Sequence, residues 1–214
     1  MKPGFIIAIG LAIAGIFLAR RANAATAYDP DSFSYGPEND VNPARDDPSY
    51  WFISSGVESM DKIANIQTGT EDERIFAFLA MIRQFESNDD YNVIYGGSRF
   101  SDMTDHPRKR IPINIPGYEG KFSSAAGAYQ FIEKTWDNLA TRLGLTDFSP
   151  ASQDSAAIEL LREIGALPYI KSGNFDQAVR IAASQWASLP YSAAKQNPKS
   201  IVAANEFLNR YMSA

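Results

Sequence analysis

The boundary at Thr70 constrains the folding of this chain more than any other feature. There Thr70-Glu71-Asp72-Glu73 spells a capping box, in which the threonine accepts from the third helical amide and Glu73 reciprocates. Behind it Ile75, Phe76, Leu79, Ile82 and Phe85 recur at helical spacing. A helix with such a stripe has to bury it, so a packed, mainly helical domain is expected from residue 68 to the end. The helix is expected to stop near Glu86 to Asn88, which sets Glu86 at the negative end of the helix dipole and next to Phe85. Both neighbours disfavour an ionised carboxylate and raise its pKa. The competing reading of Glu86 is a solvated residue at a surface helix end.

Upstream of that boundary the character of the chain is different. Gly4 to Ala19 is an unbroken run of 16 apolar residues, about 24 Å long as a helix against a hydrocarbon core of about 30 Å. Ala22-Asn23-Ala24 resembles a cleavage site, but Arg20 and Arg21 stand between it and the apolar run, where a cleaved signal avoids charge. Residues 1–24 are therefore read as a hydrophobic helix that anchors the chain. A cleaved signal and a helix buried in an assembly are the alternatives. Residues 25–67 are read as a flexible acidic linker, because the Asp, Pro, Asn and Ser from Ala25 to about Tyr50 cannot bury enough apolar surface to offset ordering. Within it Trp51-Phe52-Ile53 is expected to dock, and Val57 to Ile66 to form a short helix.

Downstream of the first helix the pattern turns β-like. Val93-Ile94-Tyr95 and Ile111-Pro112-Ile113 are short apolar runs broken by Gly96-Gly97 and Pro116-Gly117, which reads as a small irregular β-lobe. Helical periodicity returns from Ser124, with Ile132, Trp136, Leu139 and Leu143 on one face and Gly144 as a stop. Ser149-Pro150 opens another helix that Gly165 closes, and Phe175 to Ala187 and Lys199 to Met212 supply two more. The fold class is thus α+β, mainly helical.

Composition narrows the chemistry. With no cysteine, disulfides, thiolate nucleophiles and cysteine-bound zinc are all excluded. With His106 as the single histidine, a Ser-His-Asp triad or a histidine-rich metal site is a poor prospect, and carboxylate chemistry remains. Residues 1–21 carry a net +3, residues 22–70 a net −6 and residues 71–214 a net −2, so no basic face for nucleic acid is implied.

Glu86 gains company from Ser123-Ser124-Ala125-Ala126-Gly127-Ala128-Tyr129-Gln130-Phe131. Small residues ahead of an aromatic-Gln pair let a sugar approach the backbone, and Gln130 offers donor and acceptor to hydroxyl and acetamido groups. The plainer reading is a tightly packed helix start. A protonated carboxyl facing such a segment is what a general acid for a glycosidic oxygen requires.

Glu86, Tyr91 to Gly97, Phe100-Ser101-Asp102, Asp105 to Lys109, Gly127 to Gln130, Asp147 to Pro150, Ser152-Gln153-Asp154, Gly165 to Pro168 and Trp186 to Pro190 follow one another as in the bacteriophage lambda endolysin family, which this chain resembles over roughly residues 74–192. The resemblance implies a lysozyme-like domain and a lytic transglycosylase acting on peptidoglycan glycan strands. It implies Glu86 as the catalytic acid/base, and neither metal nor cofactor. Ser87, Tyr95, Asp102, Ser124, Gly127, Tyr129 and Gln130 are the expected substrate-binding residues, with Tyr95 and Tyr129 facing the cleft. Two positions depart from the lambda pattern: Ser87 replaces a glycine, and Ala128 replaces an arginine. Asp102 and Asp105 would become essential in a hydrolytic muramidase, yet they read more readily as loop-ordering residues, with Arg108 as an ion partner. A peptidoglycan-binding structural virion protein is the third reading. The anchor points to the inner membrane, facing the periplasm, or to a virion assembly.

Overall fold

The structure, a computed structural model, describes residues 62–114, 116–193 and 198–213. The anchor and most of the linker expected from the sequence lie outside these residues. Among the described residues no helix is long and apolar enough to cross a membrane. The described residues form six helices and one two-stranded sheet in the order α1 (Glu71–Ser87), β1 (Ile111–Pro112), β2 (Phe122–Ser123), α2 (Glu133–Leu143), α3 (Pro150–Glu163), α4 (Leu167–Lys171), α5 (Phe175–Ala182) and α6 (Ile201–Met212).

Helix α1 is the spine. Its capping box forms as expected, with Glu73 N–H donating to Thr70 Oγ1 and Thr70 N–H donating to Glu73 Oε2 at 2.6 Å. Ile75, Phe78, Leu79, Ile82 and Phe85 are buried, whereas Phe76 is 53% exposed. Phe78, not Phe76, carries the stripe, because position 76 falls on the far side of the turn from Phe85. Asn88 ends the helix in the left-handed conformation that Asn tolerates. The core lies between α1 and α4, α5 and α6, with Phe78 edge-on to Phe175 and Phe85 edge-on to Phe207.

The folded unit begins earlier than the sequence suggests. Ile63 and Ile66 are buried in the core, and their segment is pinned by Ile63 N–H to Asp176, Ala64 N–H to Asn205 and Ile66 N–H to Gly173 O. Residues 62–67 are thus neither linker nor helix but a strap across α5 and α6. The short helix expected up to Ile66 is absent from residues 62–66, because their amides are taken by α5, α6 and Gly173 instead of by their own carbonyls.

The β-lobe is small and irregular. β1 pairs antiparallel with β2, Ile111 opposite Ser123. Val93 and Ile94 make only single bridges, to Arg99 and Ala126. The segment after β2 departs from expectation, since residues 124–132 form turns and α2 starts at Glu133. Ser124 Oγ reaches across to accept the Glu133 N–H, the cap that Ile132 cannot supply. Trp136, edge-on to Phe148 at 4.5 Å, ties α2 to the segment that leads into α3. Helix α5 also stops short of the expected Ala187, at Ala182, and the chain continues as a series of turns to Tyr191.

Candidate active site

The last turn of α1 presents Glu86 inward, 2% exposed. Its Oε1 accepts from Ser188 Oγ at 2.5 Å and from Ser188 N–H at 3.3 Å. Burial pushes the carboxyl up to about 7, and the two Ser188 bonds pull in the opposite direction without cancelling it. At neutral pH both protonation states of Glu86 are therefore populated, as a group that must give and regain one proton requires. Raised pKa was the expectation from sequence; its main cause is desolvation.

The Gly127–Gln130 segment is a tight turn closed by reciprocal bonds between Ala126 and Phe131, 3.0 and 2.9 Å. Gly127 has φ +76°, and a Cβ there would lie 2.2 Å from Gln153 Oε1. Gln153, fully buried, holds the turn by accepting Ala128 N–H at 2.8 Å and donating to Phe148 O and Tyr91 O. Gln130 is buried, and its Nε2 donates to Gly127 O at 2.9 Å. Its Oε1 is a buried acceptor that no donor among the described residues reaches.

Several expected substrate contacts have other employment. Tyr129 does not face a cleft: it is 1% exposed, with its hydroxyl donating to Asp154 Oδ1 at 2.6 Å and accepting from Arg83 Nη1 at 3.1 Å. Tyr95 is 7% exposed and packs with Ile113 and Ala125 in the β-lobe, so its ring offers no open stacking face either. Ser87 Oγ is engaged in both directions, donating to Arg83 O and accepting Asp90 N–H, which shapes the exit from α1. Ser124 caps α2, as above. Asp102 is exposed and receives Thr104 N–H and Oγ1–H, which hold its carboxyl below the usual range. Asp105 pairs with Arg108 at 2.9 Å. His106 is buried, bonded through Nε2 to Phe131 O while Nδ1 accepts Arg108 N–H, a structural role as expected.

Four residues that sequence reasoning did not single out complete the arrangement. Asp154 Oδ1 gathers the hydroxyls of Tyr91 and Tyr129 and lies 3.5 Å from Arg83 Nη1. Arg83, one turn before Glu86, also binds Asp89 at 2.7 Å. Gln153 supports the Gly127 turn, and Ser188 holds Glu86. The turn carrying Ser188 is locked to the Gln130 segment by Trp186 Nε1, which donates to Tyr129 O at 3.1 Å. Gln153, Asp154 and Ser188 fall in the blocks Ser152-Gln153-Asp154 and Trp186 to Pro190, whereas Arg83 belongs to neither. Among the described residues no group of three or more His, Asp or Glu side chains could hold a metal ion.

The arrangement has relatives. The model of the family described as Endolysin matches residues 76–214. The endolysin of Escherichia phage lambda is 45% identical over 108 residues, covering 50% of this chain and 66% of that protein. The endolysin of Escherichia phage P2 is 36% identical over 143 residues, covering 60% of this chain and 87% of that protein. Bacteriophage lambda lysozyme complexed with a chitohexasaccharide superposes with a TM-score of 0.60 at 34% identity, over 68% of this chain and 96% of the other. A second structure of lambda lysozyme gives a TM-score of 0.54 at 31% identity, over 69% and 95%. The helices and small sheet thus share the lambda lysozyme fold, and this chain belongs to the endolysin family.

Proposed function

We propose that this protein degrades peptidoglycan as a lytic transglycosylase, cleaving the β-1,4 bond between N-acetylmuramic acid and N-acetylglucosamine. The observation that carries the reading is Glu86, a buried carboxyl with a pKa near 7 and one oxygen held by Ser188. Glu86 gives its proton to the glycosidic oxygen as the bond to muramic C1 breaks. The C6 hydroxyl of the same sugar then attacks C1, its proton passes to the Glu86 carboxylate, and a 1,6-anhydro end forms with the acid regenerated. An internal nucleophile needs no activated water, so a single carboxyl suffices. The orphan acceptor on Gln130 suits an acetamido N–H or a sugar hydroxyl. The chitohexasaccharide bound by the lambda relative supports a β-1,4-linked amino-sugar ligand.

The setting we propose is the inner membrane facing the periplasm, or a virion that opens the wall, with residues 4–19 as the attachment. The test of the chemistry is mass spectrometry of glycans released from purified peptidoglycan by the full-length chain, with Glu86→Gln alongside. Products one water lighter than hydrolysed fragments, absent in the variant, are expected. Reducing ends would make the enzyme a muramidase. No products from either protein would leave a wall-binding role.

A further inference from the structure

We infer that Ser188 is a positioning residue that fixes which oxygen of Glu86 carries the transferable proton. This rests on the reading of Glu86 as the acid/base. Both donors of Ser188, the hydroxyl and the backbone N–H, converge on Oε1 of Glu86. Oε2 accepts from no described residue, and it is not one of the buried side-chain atoms left without a partner. It is therefore the oxygen with access to the surface. A carboxyl whose Oε1 accepts two hydrogen bonds keeps its proton on Oε2, because a proton on Oε1 would meet the Ser188 N–H head-on and would force the Ser188 hydroxyl to turn from donor to acceptor. The same two bonds serve the ionised form, so the orientation persists through both halves of the proton cycle.

Ser188 is itself held. It is 1% exposed, and its carbonyl accepts Lys199 N–H at 2.8 Å. Its turn is anchored at Trp186 by the indole bond to Tyr129 O, the residue before Gln130. The hydroxyl thus meets Glu86 from a fixed position, and holding a reacting group within a few tenths of an ångström is what second-layer hydrogen bonds accomplish. Charged groups do not share the task. Along α1, Arg83 is committed to Asp89 and Asp154; beyond the turn, Lys199 offers Ser188 its backbone, and among the described residues no ion pair includes Glu86.

The test uses the full-length chain as wild type, Ser188→Ala and Ser188→Thr. The first readout is a carbon-13 titration of the Glu86 side-chain carboxyl, which needs no turnover. The second is the pH profile of kcat/KM on purified peptidoglycan. Removing the hydroxyl removes a bond that favours the charged form. Ser188→Ala is expected to raise the Glu86 midpoint and move the basic limb of the profile to higher pH by the same amount. It is also expected to lower kcat about 10-fold with KM unchanged, and Ser188→Thr is expected to restore both. An unaltered midpoint in a folded Ser188→Ala overturns the inference, even where wild-type cleavage is normal. Absence of cleavage by the wild type overturns the functional reading, while the titration still reports on Ser188.

Discussion

Replacing Gly127 by alanine tests whether the turn beneath the candidate site is as tightly specified as its geometry implies. The added methyl meets two obstacles. At φ +76° the backbone alone penalises any side chain, by about 1–2 kcal/mol. The methyl would also stand 2.2 Å from Gln153 Oε1 and 2.9 Å from Phe148 Cζ, so Gln153 has to leave. Its departure strands Ala128 N–H, Phe148 O and Tyr91 O, and one buried group left unpaired costs about 1–3 kcal/mol. With one such group left dry and water reaching the others, the loss is about 2–5 kcal/mol, a large part of the about 5–15 kcal/mol that holds a domain together. Gly117→Ala is the internal control. Its φ is +87° but nothing lies within 4 Å of the added carbon, so it suffers the backbone penalty alone. Urea unfolding followed by the fluorescence of buried Trp136 and Trp186 measures both variants. Equal losses for the two glycines would refute the argument from Gln153.

Glu86→Gln should abolish glycan release, by about 10²-fold or more, without unfolding the chain. It should also flatten the pH dependence of stability. The folded pKa lies near 7 against an ordinary value of 4.5, so the stability that Glu86 contributes is fully present below pH 4.5 and falls by about 3 kcal/mol as pH rises to 7; the difference between wild type and variant in chemical denaturation at several pH values checks this. Asp154→Ala leaves two tyrosine hydroxyls and Arg83 short of a partner and should lower stability by about 2–4 kcal/mol, read as a fall in the unfolding midpoint. Asp102→Asn and Asp105→Asn should leave glycan release within about 3-fold of wild type, because both carboxylates are spent on their own loop. Loss of release in either would favour the muramidase.

Local signals in the sequence were sufficient wherever one stretch of chain makes its own decision. The capping box at Thr70, the proline after Ser149 and the glycine at 144 each state a helix boundary through chemistry within four residues, and each boundary falls where expected. Errors arose where distant segments decide. Residues 124–131 carry small residues that suit a helix, yet Gln153 and Val93 capture their amides and turn them into a hairpin. Residues 183–187 continue the periodicity of α5, yet the indole of Trp186 and the amide of Ser188 are claimed by Tyr129 and Glu86. Propensity yields there to tertiary hydrogen bonds.

The candidate site divides along the same line. Glu86 was legible because its helix end is a local fact, and aromatic residues near it were naturally read as sugar platforms. Tyr129 and Tyr95 are instead buried, Tyr129 in the main core and Tyr95 in the small cluster of the β-lobe. Glu86 stays partly protonated at pH 7 because it is buried, and an aromatic ring with a polar tip can be turned inward only where that tip finds a partner. Tyr129 meets that condition, its ring against Phe131 and its hydroxyl on Asp154. Arg83 then connects that satisfied cluster to α1, three residues before Glu86. A change at Asp154 therefore releases Arg83 on the helix that carries Glu86, a link made through α1 and not through contact with a sugar.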